Sequence, residues 1–141
     1  MEVIKIPQRQ HDDPLAWFPE DLENPEFERL MPENGDIDNF VKQHLRGKIK
    51  ITQLRKFFDE IVSIERKLDK PDFNLDAELA LLIPKVKFAR ARGLCPEEFV
   101  KLISKIQKGV NEDGGNKIEK FKNARKILEA VVAYCKYYGG G

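Results

Sequence analysis

"KIEKFKNARKILEAVVAYCKYYGG", residues 117–140, decides the architecture of this chain. At about 100° per residue, Phe121, Ala124, Ile127, Leu128, Val131, Val132, Tyr134, Cys135 and Tyr138 spread over nearly half of a helix circumference. One neighbouring helix does not need a stripe that wide. The segment is either the central helix of a bundle or a helix that also packs against another subunit. Asn116 stands at its start, and Gly139 supplies the left-handed position just past its end.

Working back along the chain, every segment after Gly35 has helical period. "DIDNFVKQHLRG" (36–47) puts Ile37, Phe40, Val41 and Leu45 on one face, and Gly47 ends it. Thr52 is the expected N-cap of "QLRKFFDEIVSIERKLDK" (53–70), with Pro71 as the stop. Asp72 or Asn74 opens a third helix, whose apolar stripe is Leu75, Leu79, Leu82, Ile83, Val86 and Ala89. Pro84 lies inside it, where it removes one intrahelical bond and is expected to bend the helix. Pro96 is placed at the first position of a fourth helix, with Phe99, Leu102, Ile103, Ile106 and Val110 facing inward. "NEDGGN" (111–116) reads as a loop. No segment alternates like a strand, so the reading is an all-α bundle of about five helices spanning 36–141. Residues 1–35, with prolines at 14, 19, 25 and 32 in the stretch 11–35, read as an irregular acidic leader with apolar anchors Leu15, Trp17, Phe18, Phe27 and Leu30 that could dock on the body or on a partner.

The 141 residues suffice for one domain that buries about 68% of its unfolded surface. The composition, 41% hydrophobic and 35% charged, is that of a soluble globular protein. No apolar h-region opens the chain and no long apolar run follows, so neither a signal peptide nor a membrane span is expected. Cys95 and Cys135 have no metal or redox spacing, and the expected compartment is the reducing cytoplasm. The net charge of +1 conceals an asymmetry: residues 1–39 carry three cations and eleven carboxylates, and the rest carries a matching excess of cations. Such a body suits an anionic partner, and the acidic leader could dock on it and compete with that partner.

Catalytic chemistry is not indicated. His11 and His44 lack partners at metal-ligand spacing, no Gly-rich phosphate loop is present, and Asp59 and Glu60 diverge by about 100° on a helix. Cys135 could be imagined with His44 as nucleophile and base, but it falls on the core face of the last helix. Asp59 is instead expected to pair with Arg55 one turn earlier. No cofactor and no metal are implied.

The third helix carries a second stripe. Leu81, Lys85, Phe88 and Arg92 share the side opposite the apolar face, and two cations beside an exposed ring suit either nucleic acid or a protein interface. A further concentration, Arg46, Lys48, Lys50, Arg55 and Lys56, gathers around the start of the second helix. None of these groups has a pattern for reading base edges, so contacts to the sugar-phosphate backbone are expected. Two alternatives remain open: a helix-turn-helix DNA binder using Gln53, Arg55 and Lys56, and a pure protein-interaction scaffold.

Three strings then occur in order: "TQLRKFFDEI" (52–61), "LLIPKVKFARARGL" (81–94) and "EAVVAYCKYYGG" (129–140). Together they resemble the small helical subunit of the type III-A CRISPR–Cas effector, the Csm complex, over roughly residues 40–141. Phe88 stands where that pattern has tyrosine and Cys135 where it has histidine; neither change removes a cation. The resemblance implies a non-enzymatic, RNA-binding, all-α subunit that stacks along the groove holding the CRISPR RNA and its target RNA in antiviral defence. It also implies contacts with copies of itself, with the repeated backbone subunits and with the large polymerase-like subunit. Carried over by position, the RNA-facing residues are Arg55, Lys56, Lys85, Arg92 and Lys136, with Lys87, Phe88 and Arg90 beside them.

Overall fold

A computed structural model describes residues 13–139 of the chain. Among them every regular element is helical. A single turn, α1 (Phe27–Leu30), precedes α2 (Asp36–Phe40), which runs on into a π turn, Val41–Leu45. Four long helices follow: α3 (Ile51–Arg66), α4 (Leu75–Ala91), α5 (Glu97–Asn111) and α6 (Lys117–Tyr137).

α6 is the central helix. It packs on α2, the π turn, α3 and α5, which accounts for its broad apolar face. Phe121, Ala124, Ile127, Leu128, Val131 and Cys135 are buried along it, and Val132, Tyr134 and Tyr138 pack at the edges. α4 lies mainly on α5, and Phe57 of α3 meets Phe99 of α5 edge-on at 5.6 Å. The inward stripe of α4 is as the period predicts, with Leu79, Leu82, Val86 and Ala89 buried. α4 continues through Pro84, which is exposed; the carbonyl of exposed Ala80, deprived of its partner, can turn to water.

The helix starts differ from expectation in two places. α3 begins at Ile51 with Lys50 as N-cap, so Thr52 sits inside the first turn and caps nothing. Ile51 packs against the core and the Lys50 amide bonds to Leu94 O at 3.4 Å; tertiary contacts, not the threonine hydroxyl, fix the entry. Pro96 is the N-cap of α5, one residue before its predicted place, with an extended ψ of 168°. α3 also stops at Arg66, short of Pro71, in successive tight turns such as Lys67 N to Ile64 O at 3.0 Å. Asn74 and Asn116 do cap α4 and α6, each side chain accepting an amide at 3.0 Å.

The described part of the leader docks on α2, α5 and α6 through apolar groups rather than through its charge. Leu15, Phe18, Leu22 and Leu30 belong to the same core as the helices. Gly109 of α5 admits Leu22 so closely that an added Cβ would lie 2.8 Å from its Cδ1. α6 fastens this segment with two polar bonds, Asn123 Nδ2 donating to Leu22 O (2.7 Å) and Tyr134 Oη to Met31 O (2.7 Å), and just past its end Tyr138 Oη donates to Asp38 Oδ1 of α2 (2.6 Å).

Asp38 is fully buried. Burial alone would raise its carboxyl. The Tyr138 hydroxyl, the Asn34 amide (2.8 Å) and the Lys42 ammonium (3.8 Å) outweigh that and hold it below the ordinary carboxylate value. The same bond, with burial, pushes the Tyr138 hydroxyl up to about 12, so it remains a donor at neutral pH.

Two outcomes follow for stability. Leu30→Ala should lower the unfolding free energy by about 2–5 kcal/mol in urea titrations, because it opens a cavity under the leader. The stabilisation from ionised Asp38 is fully present above the unfolded carboxylate value of about 3.9 and is lost as pH falls through the lower folded value. Wild type should therefore lose stability more steeply than Asp38→Asn below about pH 4.

Candidate nucleic-acid interface

Two pairs of contacts orient the helices that carry the candidate residues. Lys85 of α4 meets Glu60 of α3, and Leu94 meets Lys50, so α3 and α4 run antiparallel. Arg125 of α6 meets Glu65 of α3 at 3.0 Å, and Arg46 lies 5.0 Å from the Tyr138 ring, so α3 and α6 are antiparallel too. The beginning of α3, the end of α4 and the end of α6 therefore share one end of the bundle. Residues 46–60, 85–98 and 134–139, all at or near that end, contain ten lysines and arginines against four carboxylates. The eight predicted residues are drawn from these three segments.

Backbone geometry closes this end tightly. Gly93 (φ 75°) takes the left-handed conformation after α4, while its amide bonds to Arg90 O (2.9 Å) and that of Leu94 to Ala89 O (3.0 Å). Gly47 (φ 74°) does the same after the π turn. A shallow cavity of about 190 Å³ lies between the two turns, lined by Gly47, Lys48, Ile49, Lys50, Gly93 and Leu94.

The outer stripe of α4 is exposed as predicted. Leu81 retains 53% of its accessible surface and Phe88 65%, and the Arg92 guanidinium lies 5.6 Å from the Phe88 ring. Lys85 projects from the same stripe, but its ammonium is engaged by Glu60 Oε1 at 2.5 Å. This pair joins the α4 stripe to the Lys56 and Glu60 face of α3, since residues four apart share a helix face. Lys87 and Arg90 lie on other sides of α4, and Arg90 pairs with Glu97 at 3.6 Å. Arg55 diverges from Lys56 toward another flank of α3. The expected Arg55–Asp59 ion pair does not form. Lys136 is exposed in the last turn of α6, next to Tyr137, which retains 79% of its surface. Among the described residues, Arg55, Lys56, Lys87, Arg92 and Lys136 have no carboxylate partner, and Lys85 and Arg90 have one each.

Sequence spacing missed Glu60. On its own helix it is one of two diverging carboxylates; its significance comes from a residue 25 positions away. Exposed Tyr137 was absorbed into the aromatic run that closes α6 and carried no signal of its own.

The groups imagined as catalytic do not meet. Burial pushes the Cys135 thiol up to about 12, and His44 faces Glu98 at 3.8 Å and the Phe40 ring at 5.6 Å. Among the described residues no three of His, Cys, Asp or Glu converge as a metal site, and no helix is long and apolar enough to cross a membrane. Gln53, which the DNA-binding alternative would place in a groove, is half-buried.

The fold and this end of it define a small all-α protein with an aromatic, cation-rich surface. The family model for Csm2 Type III-A matches residues 32–141, and the chain belongs to that family. It is accordingly a small subunit of the type III-A CRISPR–Cas effector and assembles with the other subunits of the Csm complex. No curated protein and no solved structure gives a match.

Because Phe88 and Arg92 lie outside the core, Phe88→Ala and Arg92→Ala should each leave the unfolding free energy within about 0.5 kcal/mol of wild type. Thermal unfolding of the purified variants checks this. A larger loss would show that the stripe is needed for folding.

Proposed function

We propose that the chain is a non-catalytic RNA-binding structural subunit. It lies along the groove that holds the CRISPR RNA and its target RNA, and it grips the sugar-phosphate backbone without sequence preference. The observation that carries this reading is the convergence of three separate segments on one end of the bundle. There Lys56, Arg92, Lys136 and the Lys48–Lys50 loop offer exposed cations, and Arg92 lies against the exposed ring of Phe88. Lysine and arginine neutralise phosphates and release counterions, and an exposed ring can stack on a base. Guide pairing supplies the sequence specificity in such effectors, so a subunit that reads only backbone suffices; the same logic holds for the RNA-guided DNA effectors. Antiviral defence, and contacts with copies of itself, with the repeated backbone subunits and with the large polymerase-like subunit, belong to the same proposal.

The exposure of Leu81 and Phe88 also favours a second reading, in which this stripe is a protein contact only. Fluorescence anisotropy with two unrelated single-stranded RNAs over a salt series separates the two. The RNA reading expects similar affinities for both sequences, with a slope of about 0.7 in log K per log salt for each phosphate contacted. Lys56→Glu with Arg92→Glu should weaken both RNAs equally and flatten the slope by about 1.4. Unchanged binding by a folded double variant would favour the protein-contact reading.

A further inference from the structure

One carboxylate lies inside the cationic face. Glu60 is on the same side of α3 as Lys56, and its Oε1 accepts from Lys85 Nζ at 2.5 Å. The Lys85 side chain keeps 52% of its surface and that of Glu60 28%. Glu60 Oε2 is buried and has no hydrogen-bond partner. A buried carboxylate oxygen without a donor is poorly served, and among the described residues the one ion pair that Glu60 makes is with Lys85, through Oε1. The neighbouring Asp59 differs: it is exposed and pairs with no cation among the described residues.

Resting on the RNA-binding reading above, we infer that Glu60 stands in for an RNA phosphate at Lys85. In the free protein the carboxylate occupies the ammonium. On binding, a backbone phosphate must share the ammonium with Glu60 or displace it, and in either case it meets the carboxylate's charge. Glu60 is thus a residue that holds RNA affinity down, by competition at one cation rather than by net charge. Lys56 and Arg92, which have no carboxylate partner among the described residues, make their contacts without this competition. The α3–α4 seam is suited to such an exchange. The two helices meet more sparsely than α4 does with α5 or α3 with α6, so opening the pair disturbs little packing.

The test compares Glu60→Gln with Asp59→Asn in the full chain, with a single-stranded RNA of fixed length as probe. Both substitutions remove one negative charge, at adjacent positions, but only the first frees Lys85. Glu60→Gln should tighten binding about two- to fivefold more than Asp59→Asn, the range that corresponds to an exposed ion pair. It should also steepen the salt slope by about 0.7, one additional phosphate. In the Glu60→Gln background, Lys85→Ala should abolish both gains. Equal effects of the two carboxylate substitutions, or weaker binding by a folded Glu60→Gln variant, would overturn the inference while leaving the RNA reading intact. Absence of salt-dependent RNA binding by wild type would overturn the RNA reading, and this inference with it.

Discussion

The breadth of the apolar face of α6 is the constraint on which the rest of the structure depends. A helix buried across nearly half its circumference must be surrounded, and α2, α3 and α5 close around it. Polar groups on and just past it then secure what the apolar face gathers: Asn123 and Tyr134 hold the leader, Tyr138 holds α2, and Arg125 holds α3. Once α3 lies antiparallel to α6 and α4 antiparallel to α3, three segments far apart in the chain must finish at the same end. The cation-rich surface is a consequence of that packing and needs no element of its own.

That surface is graded rather than uniform. Arg92 lies along Phe88 and Lys56 stands without a carboxylate among the described residues, whereas Lys85 and Arg90 are tied to Glu60 and Glu97. An exposed ion pair stabilises the fold by about 1 kcal/mol at most, so these ties add little to stability. Their larger effect is on which charges are available to a polyanion. On the RNA-binding reading proposed above, the few uncommitted cations would supply weak, sequence-indifferent contacts.

Much of this was legible in the sequence because it rests on local period. The inward and outward stripes of α4 follow from spacings of three and four, and Asn74 and Asn116 cap where their side chains predict. The three strings also carried the family resemblance that the match over residues 32–141 bears out. What local pattern could not give were the long-range pairs. Tyr138 finds Asp38 across 100 residues, and Lys85 finds Glu60 across 25, and neither partner looks unusual in its own segment. The leader was legible in part: its anchors Leu15, Phe18 and Leu30 are buried, but Leu22 was passed over, because the prolines break any period and a lone leucine needs only an isolated socket. Thr52 is a plausible cap and Pro96 a plausible first helical residue by type, yet α3 starts a residue before Thr52, set by tertiary contacts, and α5 starts one residue after Pro96.

The most direct test of the central claim is photo-crosslinking of the assembled Csm complex carrying 4-thiouridine in its RNA, with the crosslinked peptides of this subunit identified by mass spectrometry. The account predicts crosslinks in residues 52–61 and 81–94, at or beside Lys56, Phe88 and Arg92. Crosslinks confined to the outer face of α5, at Lys101, Lys105 and Lys108, would contradict it.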